Sequence, residues 1–363
     1  MKMSNNMKST LTTLAFALIA IFVALLIGGI LIQFTTEASM IEAYIALYNG
    51  AFGDLRSVLN TLWRSTPLIL TGLAVAFAFK CGLFNIGAEG QLLIGGFVAG
   101  VAGYSFTGLP AILHVTICIV LGMLAGGIWG GIPGLLKAKL GVNEVINTIM
   151  LNLIALQITV RYGINQLRLE GAADNTPRIA ETAELTRFTD TFLNDLFNLP
   201  GGVRVHTGFV FALLAALFIS YLLFKTKTGY EIRAVGINPS GAEYGGINVS
   251  KNIFLAMFIS GALAGLAGTV EVLGTHRYFT SGLDAGLGFT GIAVALLGNS
   301  NPGGVILAGI LFGALTQGGM GMQFAGVPRE IVTIIQALVI FFMASLQMFK
   351  IFIEKKRAKE VAK

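Results

Sequence analysis

The chain is 363 residues long, 55% hydrophobic and only 12% charged, with a formal net charge of +6 and a mean hydropathy of +0.79. The charged fraction is about half that of a soluble domain, and the apolar runs are about 20 residues long, the length of a helix crossing hydrocarbon and longer than an alternating barrel strand. A soluble domain is excluded, and the expected fold class is an all-α integral membrane protein. In such a chain the basic balance is read from where Lys and Arg fall, so it points to membrane topology and to no nucleic acid.

Lys2 and Lys8 precede an apolar run, Leu11–Ile32, that is too long for the core of a cleavable signal and is read as the first span. An outer segment, Gln33–Asn60, follows. Further spans are predicted at Thr61–Phe79, Leu83–Tyr104, Pro110–Ile132, Glu144–Gly163, His206–Phe224, Asn252–Val272, Ala285–Leu297, Gly303–Gln323 and Glu330–Phe349, about ten in all. The eighth is short enough for a half-helix. This divides the chain into a cytoplasmic N-terminus, residues 1–10, a transmembrane domain over 11–349 and a basic tail over 350–363. The transmembrane domain has an outer loop at 164–205 and a cytoplasmic loop at 225–251.

With both termini inside, every lysine falls on the cytoplasmic side, and the basic residues left outside are all arginines. Spans two to five begin outside and spans seven to ten begin inside, which leaves room for an inverted repeat. Cys81 and Cys118 lie in or beside apolar spans and are expected to be reduced thiols. Gly96xxxGly100, the run Gly122 to Gly134 at every fourth residue, Gly261xxxGly265 and Gly309xxxGly313 are read as helix-packing sites.

The stretch Gly82–Gly96 places Asn85, Glu89 and Gln91 in an otherwise apolar segment. An ionisable group there costs about 2.5–3.5 kcal/mol on insertion scales, so it faces a cavity, a partner or a transport path. On a continuous helix Asn85 and Glu89 share a face and Gln91 points elsewhere. The fifth span opens with Asn143, Glu144, Asn147 and Thr148, followed by Asn152. Interhelical hydrogen bonds explain these amides as well as substrate contact does. Asn85, Glu89, Gln91, Asn143, Asn147, Asn152 and, near the outer mouth, Glu271 are the candidates for lining or bracing a path. Amides with few carboxylates suit a neutral polar solute better than ion conduction.

No lysine follows a glycine, so a Walker A loop is absent and any ATP is hydrolysed by another chain. Gly286, Gly288 and Gly291 match the dinucleotide fingerprint by letter but follow no strand. No metal or cofactor is expected. In the cytoplasmic loop Asn238-Pro239 is suited to start a short helix and Gly245-Gly246 to end it, in the manner of a docking element.

Gly82–Gly96, Gly141–Asn152, Gly229–Ile247 and Phe289–Asn299 with Pro302-Gly303-Gly304 resemble the permease subunits of ATP-binding cassette importers. The branch is that of simple-sugar, branched-chain amino acid and nucleoside systems, and the likeness is greatest to the larger permease of a nucleoside importer. It implies a bacterial plasma-membrane permease with three kinds of partner besides lipid: cassette ATPase subunits, a second, related permease and an extracellular binding lipoprotein. It also implies that Asn238–Gly246 is a coupling helix, with Gly229, Glu231, Arg233, Gly236, Asn238, Pro239, Ala242 and Gly245 as its coupling residues. Gly241 and Gly245 stand where relatives more often carry alanine, so a shorter coupling helix is expected. A sugar or other small polar solute is the alternative cargo. An ion-driven secondary transporter working through Glu89 and Glu144 is the rival of another class.

Overall fold

The computed structural model describes residues 5–168, 174–283, 286–342 and 345. In chain order its helices are α1 (Asn5–Thr35), α2 (Met40–Phe52), α3 (Leu55–Lys80), α4 (Ala88–Ser105), α5 (Ala111–Leu140), α6 (Glu144–Leu156), α7 (Phe192–Phe197), α8 (Gly208–Lys225), α9 (Lys227–Ile237), α10 (Pro239–Tyr244), α11 (Val249–Val270), α12 (Leu287–Leu297), α13 (Pro302–Phe324) and α14, residues 329–342. α6 runs on into π-helical Gln157–Ile164, and α11 into π-helical Glu271–His276. Among the described residues β structure is limited to two isolated bridges, Asn175 with Thr280 and Arg187 with His206.

Among the described residues six helical segments are long and apolar enough to cross a membrane, at Leu55–Lys80, Ala111–Leu140, Glu144–Leu167, Gly208–Lys225, Val249–His276 and Pro302–Phe324. The stretch Ile19–Thr35 of α1, and α12 (Leu287–Leu297), are shorter apolar helical segments. α4 begins at Ala88 and not at Leu83 as expected, and Glu89 and Gln91 lower its hydropathy. Of the predicted span Glu330–Phe349, residues beyond 342 lie outside the described residues except 345, and so does the tail 350–363.

The chain divides into two compact units, Met1–Val58 with Ala314–Lys363, and Leu59–Gly313. In the first, Ile32, Ala43, Met322, Val327, Val332 and Ile335 form an apolar core. The segment expected to lie outside, Gln33–Asn60, contains α2. Its start is set by a capping box in which Ser39 accepts from Glu42 N and the Glu42 side chain accepts from Ser39 N.

In the second unit α4, α5 and α11 pack backbone to backbone. A Cβ on Gly126 would stand 2.5 Å from Gly261 O and 2.7 Å from Gly265 Cα, and one on Gly96 would stand 3.0 Å from Gly268 O. The small-residue spacing read from the sequence therefore makes a three-helix seam in which helix axes approach as closely as backbones permit. Gly309 and Gly313 likewise meet Ile69 and Ser65 of α3, whereas Gly100 makes only ordinary contacts.

Beyond the ends of α4 and α11, residues 174–207 are pinned by main-chain bonds, among them Thr176 N to Phe279 O, Ile179 N to Arg277 O, Ala180 N to Gly103 O and Leu185 N to Leu273 O. Glu184 bridges Arg178 and Arg277, each at 2.9 Å.

Candidate functional site

α3 ends at Lys80, and Gly82 takes the left-handed φ of +73° that breaks the helix. Cys81–Gly87 is a turn, so Asn85 precedes α4 and does not share a helix face with Glu89. The expected face is corrected on this point, and so is the position of Gln91. Asn85 Oδ1 accepts from Gly87 N at 2.9 Å, a side-chain turn that directs the chain into α4.

The two amides then pair reciprocally, Asn85 Nδ2 donating to Gln91 Oε1 at 2.8 Å and Gln91 Nε2 to Asn85 Oδ1 at 3.1 Å. Asn85 Nδ2 also donates to Ser260 Oγ of α11 at 2.8 Å, and Ser260 Oγ to Ala74 O of α3 at 2.6 Å. Asn85 is 0% and Gln91 1% exposed. Buried amides require such partners, and these tie α3, α4 and α11 together.

Glu89, 5% exposed, reaches the start of α12. Its carboxylate accepts from Gly286 N at 3.0 Å, Gly288 N at 2.5 Å and Phe289 N at 3.2 Å. A negative charge at a helix N-terminus takes up its otherwise unsatisfied N–H groups and the positive end of its dipole. The Gly286-x-Gly288-x-x-Gly291 pattern belongs to this contact, since a Cβ on Gly288 would collide with Glu89 and one on Gly291 with Thr71.

On α6, Asn152 donates from Nδ2 to Ile86 O at 3.0 Å and accepts at Oδ1 from Gly90 N at 2.9 Å, clasping both sides of the turn. The neighbouring candidates differ. Asn143 is exposed and caps α6 by accepting from Val145 N and Ile146 N, and Glu144 pairs with Lys137 at 2.9 Å. Asn147 is half-buried, and its Nδ2 has no hydrogen-bond partner.

Glu271 is buried in the π-helical end of α11, where Thr275 Oγ1 donates to it at 3.4 Å and His276 Nε2 lies 3.7 Å away. Trp63 Nε1 donates to Thr275 Oγ1 at 2.9 Å, and a cavity of about 560 Å³ beside them is lined by Trp63, Arg187, Arg204 and Thr275. Sequence reading passed over Ser260 and also Gln157, Arg161 and Asn165, which with Asp174 line a cleft of about 340 Å³. Their four-residue spacing was the available signal.

In the loop expected to be cytoplasmic, α10 starts and stops where the residues require. Asn238 accepts from Gly241 N at 3.0 Å, Pro239 is the first helical residue, Gly245 closes the helix and Gly246 has φ +79°. At six residues it is short, as Gly245 implied. Ala242 is buried, whereas Tyr230, Ile237 and Tyr244 are exposed, and Tyr230 and Ile237 line a cleft of about 580 Å³ with Arg233, Asn238 and Gly241.

α9 was not foreseen as a helix. Thr226 caps it by accepting from Gly229 N, and Gly229 itself admits the backbone of Leu222 and Leu223. Arg233 lies over Phe224 at 5.3 Å, and Glu231 Oε2 accepts from Asn252 Nδ2 at 3.2 Å. Cys81 and Cys118 are free and buried, and burial pushes the Cys81 thiol, just past the end of α3, up to about 12. No group of three metal-ligating side chains occurs among the described residues.

The family described as "Branched-chain amino acid transport system / permease component" matches residues 57–344. The guanosine ABC transporter permease protein of Bacillus subtilis (strain 168) is 46% identical, over 93% of this chain and 95% of its own length. The nucleoside ABC transporter permease protein of Lactococcus lactis subsp. cremoris is 37% identical, over 94% of this chain and 93% of its own. The glucose ABC transporter permease protein of Haloferax volcanii is 34% identical, over 92% and 87% respectively. No solved structure matches.

Proposed function

This chain belongs to the permease-component family of branched-chain amino acid transport systems, and from that premise we propose that it forms one half of the path by which an ATP-binding cassette importer takes up a nucleoside. It is a multi-pass plasma-membrane transport subunit and not itself an enzyme. The nucleoside reading is carried by the near full-length likeness to the guanosine permease. A neutral polar cargo also accords with a chain whose buried polar residues are mostly hydroxyls and amides, with few carboxylates.

In this reading about ten spans cross with both termini inside, spans two to five and seven to ten forming an inverted repeat. α10 is the coupling helix held by the ATPase, the binding lipoprotein docks over the outer segments, and a related permease completes the path. Asn85, Glu89, Gln91 and Asn152 brace that path by holding α3, α4, α6, α11 and α12 in register. The side of α6 bearing Asn147, Gln157, Arg161 and Asn165 lines it, and Glu271 supports its outer mouth. ATP binding and hydrolysis favour different arrangements of the helices, and the solute moves because access alternates between them.

The test is reconstitution of this chain with its cognate ATPase, second permease and binding lipoprotein in liposomes, followed by uptake of tritiated guanosine with and without ATP. ATP-dependent guanosine accumulation that unlabelled glucose does not compete away is the expected result. Accumulation of glucose instead, or uptake by the chain alone under an ion gradient, overturns the reading.

A further inference from the structure

We propose that the turn Cys81–Gly87 is the joint that transmits movement of α9 and α10 to α6 and α12, with Gly82 and Asn252 as its positioning residues. The inference rests on the importer reading above. On one side the turn meets α9 without intervening side chains. A Cβ on Gly236 would collide with Lys80 O and stand 2.9 Å from Gly82 N, while Gly82 itself lies against the Gly236 backbone. Contact of backbone with backbone has no rotamer to absorb a displacement, so α9 and the turn move together.

A second tie runs alongside the first. Asn252 of α11 donates to Glu231 of α9 at 3.2 Å, and its carbonyl lies 3.8 Å from Cys81 Sγ. On the other side the turn and the first residues of α4 are held by long-range hydrogen bonds. Asn152 of α6 holds Ile86 O and Gly90 N, Glu89 holds the start of α12, and Ser260 holds Asn85.

The element joining these two sets of contacts is the non-helical piece of chain between α3 and α4. Its geometry depends on Gly82, whose φ of +73° is one that L side chains rarely adopt. A joint of this kind pivots at the turn while the helices attached to it stay rigid. The buried amides and Glu89 then act as links in the moving train, besides holding the fold.

The test uses the complete importer in liposomes and reads guanosine taken up per ATP hydrolysed, a ratio that a loss of folded complex does not change. Gly82→Val and Asn252→Leu are compared with Gly108→Val. Gly108 also has a positive φ, +75°, between α4 and α5, and a side chain there meets nothing within 4 Å, so it carries the same backbone strain away from the joint. The ratio is expected to fall by about tenfold for Gly82→Val and Asn252→Leu and to stay within about twofold of the parent for Gly108→Val. Should Gly82→Val fail to assemble, Asn252→Leu decides. An unchanged ratio in the assembled variants, or an equal fall in Gly108→Val, overturns the joint while leaving the importer reading intact. Absence of ATP-driven uptake by the parent complex overturns that reading and the joint with it.

Discussion

The amides near the start of α4 and those at the start of α6 look alike in the sequence, and they do opposite things. Asn85 and Gln91 are sealed, paired with each other and with Ser260, and beside them Glu89 caps α12. Asn143 is an exposed cap, and Asn147 keeps a buried amide nitrogen without a partner. The difference teaches that a polar side chain inside a membrane protein is defined by what reaches it from elsewhere in the chain. Where three helices converge, an unpaired amide is too costly and every atom finds a bond. At the start of α6 no other helix among the described residues brings a partner to the Asn147 nitrogen, which stays buried and unpaired.

The largest expected effect breaks the first region. Glu89→Ala leaves the N–H groups of Gly286, Gly288 and Phe289 without their carboxylate, and a destabilisation of about 3 kcal/mol is expected. It is read as a fall of several degrees in the thermal unfolding midpoint of the detergent-solubilised protein. A shift no larger than that of a simple cap variant makes Glu89 a bystander. Asn143→Ala supplies that cap variant, with an expected loss of about 1 kcal/mol that Asn143→Ser largely restores. If serine fails to restore it, Asn143 does more than cap.

The smallest effect sharpens the comparison. Asn147→Leu removes an unpaired buried nitrogen and is expected to change stability by no more than about 0.5 kcal/mol. Guanosine uptake by that intact variant is expected to drop if the amide serves the solute. A clear loss of stability instead gives Asn147 a partner and erases the contrast between the regions.

Much of the fold was legible because its signals are local. The length of apolar runs announced helices, and the four-residue glycine spacing announced the seam of α4, α5 and α11. Asn238-Pro239 and Gly245-Gly246 delimited α10 because a cap, a fixed φ and a left-handed stop act within one turn of chain. Two local signals were passed over. Gly82 ends α3 with a left-handed φ and so leaves Asn85 in a turn before α4, and Ser39 with Glu42 forms a capping box in the segment read only as an outer one.

By itself, then, the sequence determined a helical membrane protein, the places where its helices touch closely and the start and stop of the short helix α10, all of which follow from hydropathy, residue size and backbone preference over short spans. Tertiary structure alone decided the duties of the polar residues. Glu89 meets Gly286 across 197 positions, Asn85 meets Ser260 across 175 and Asn152 meets Ile86 across 66. Hydrogen bonds over such separations exist only once the helices between them have packed, and no local pattern encodes which donor will arrive.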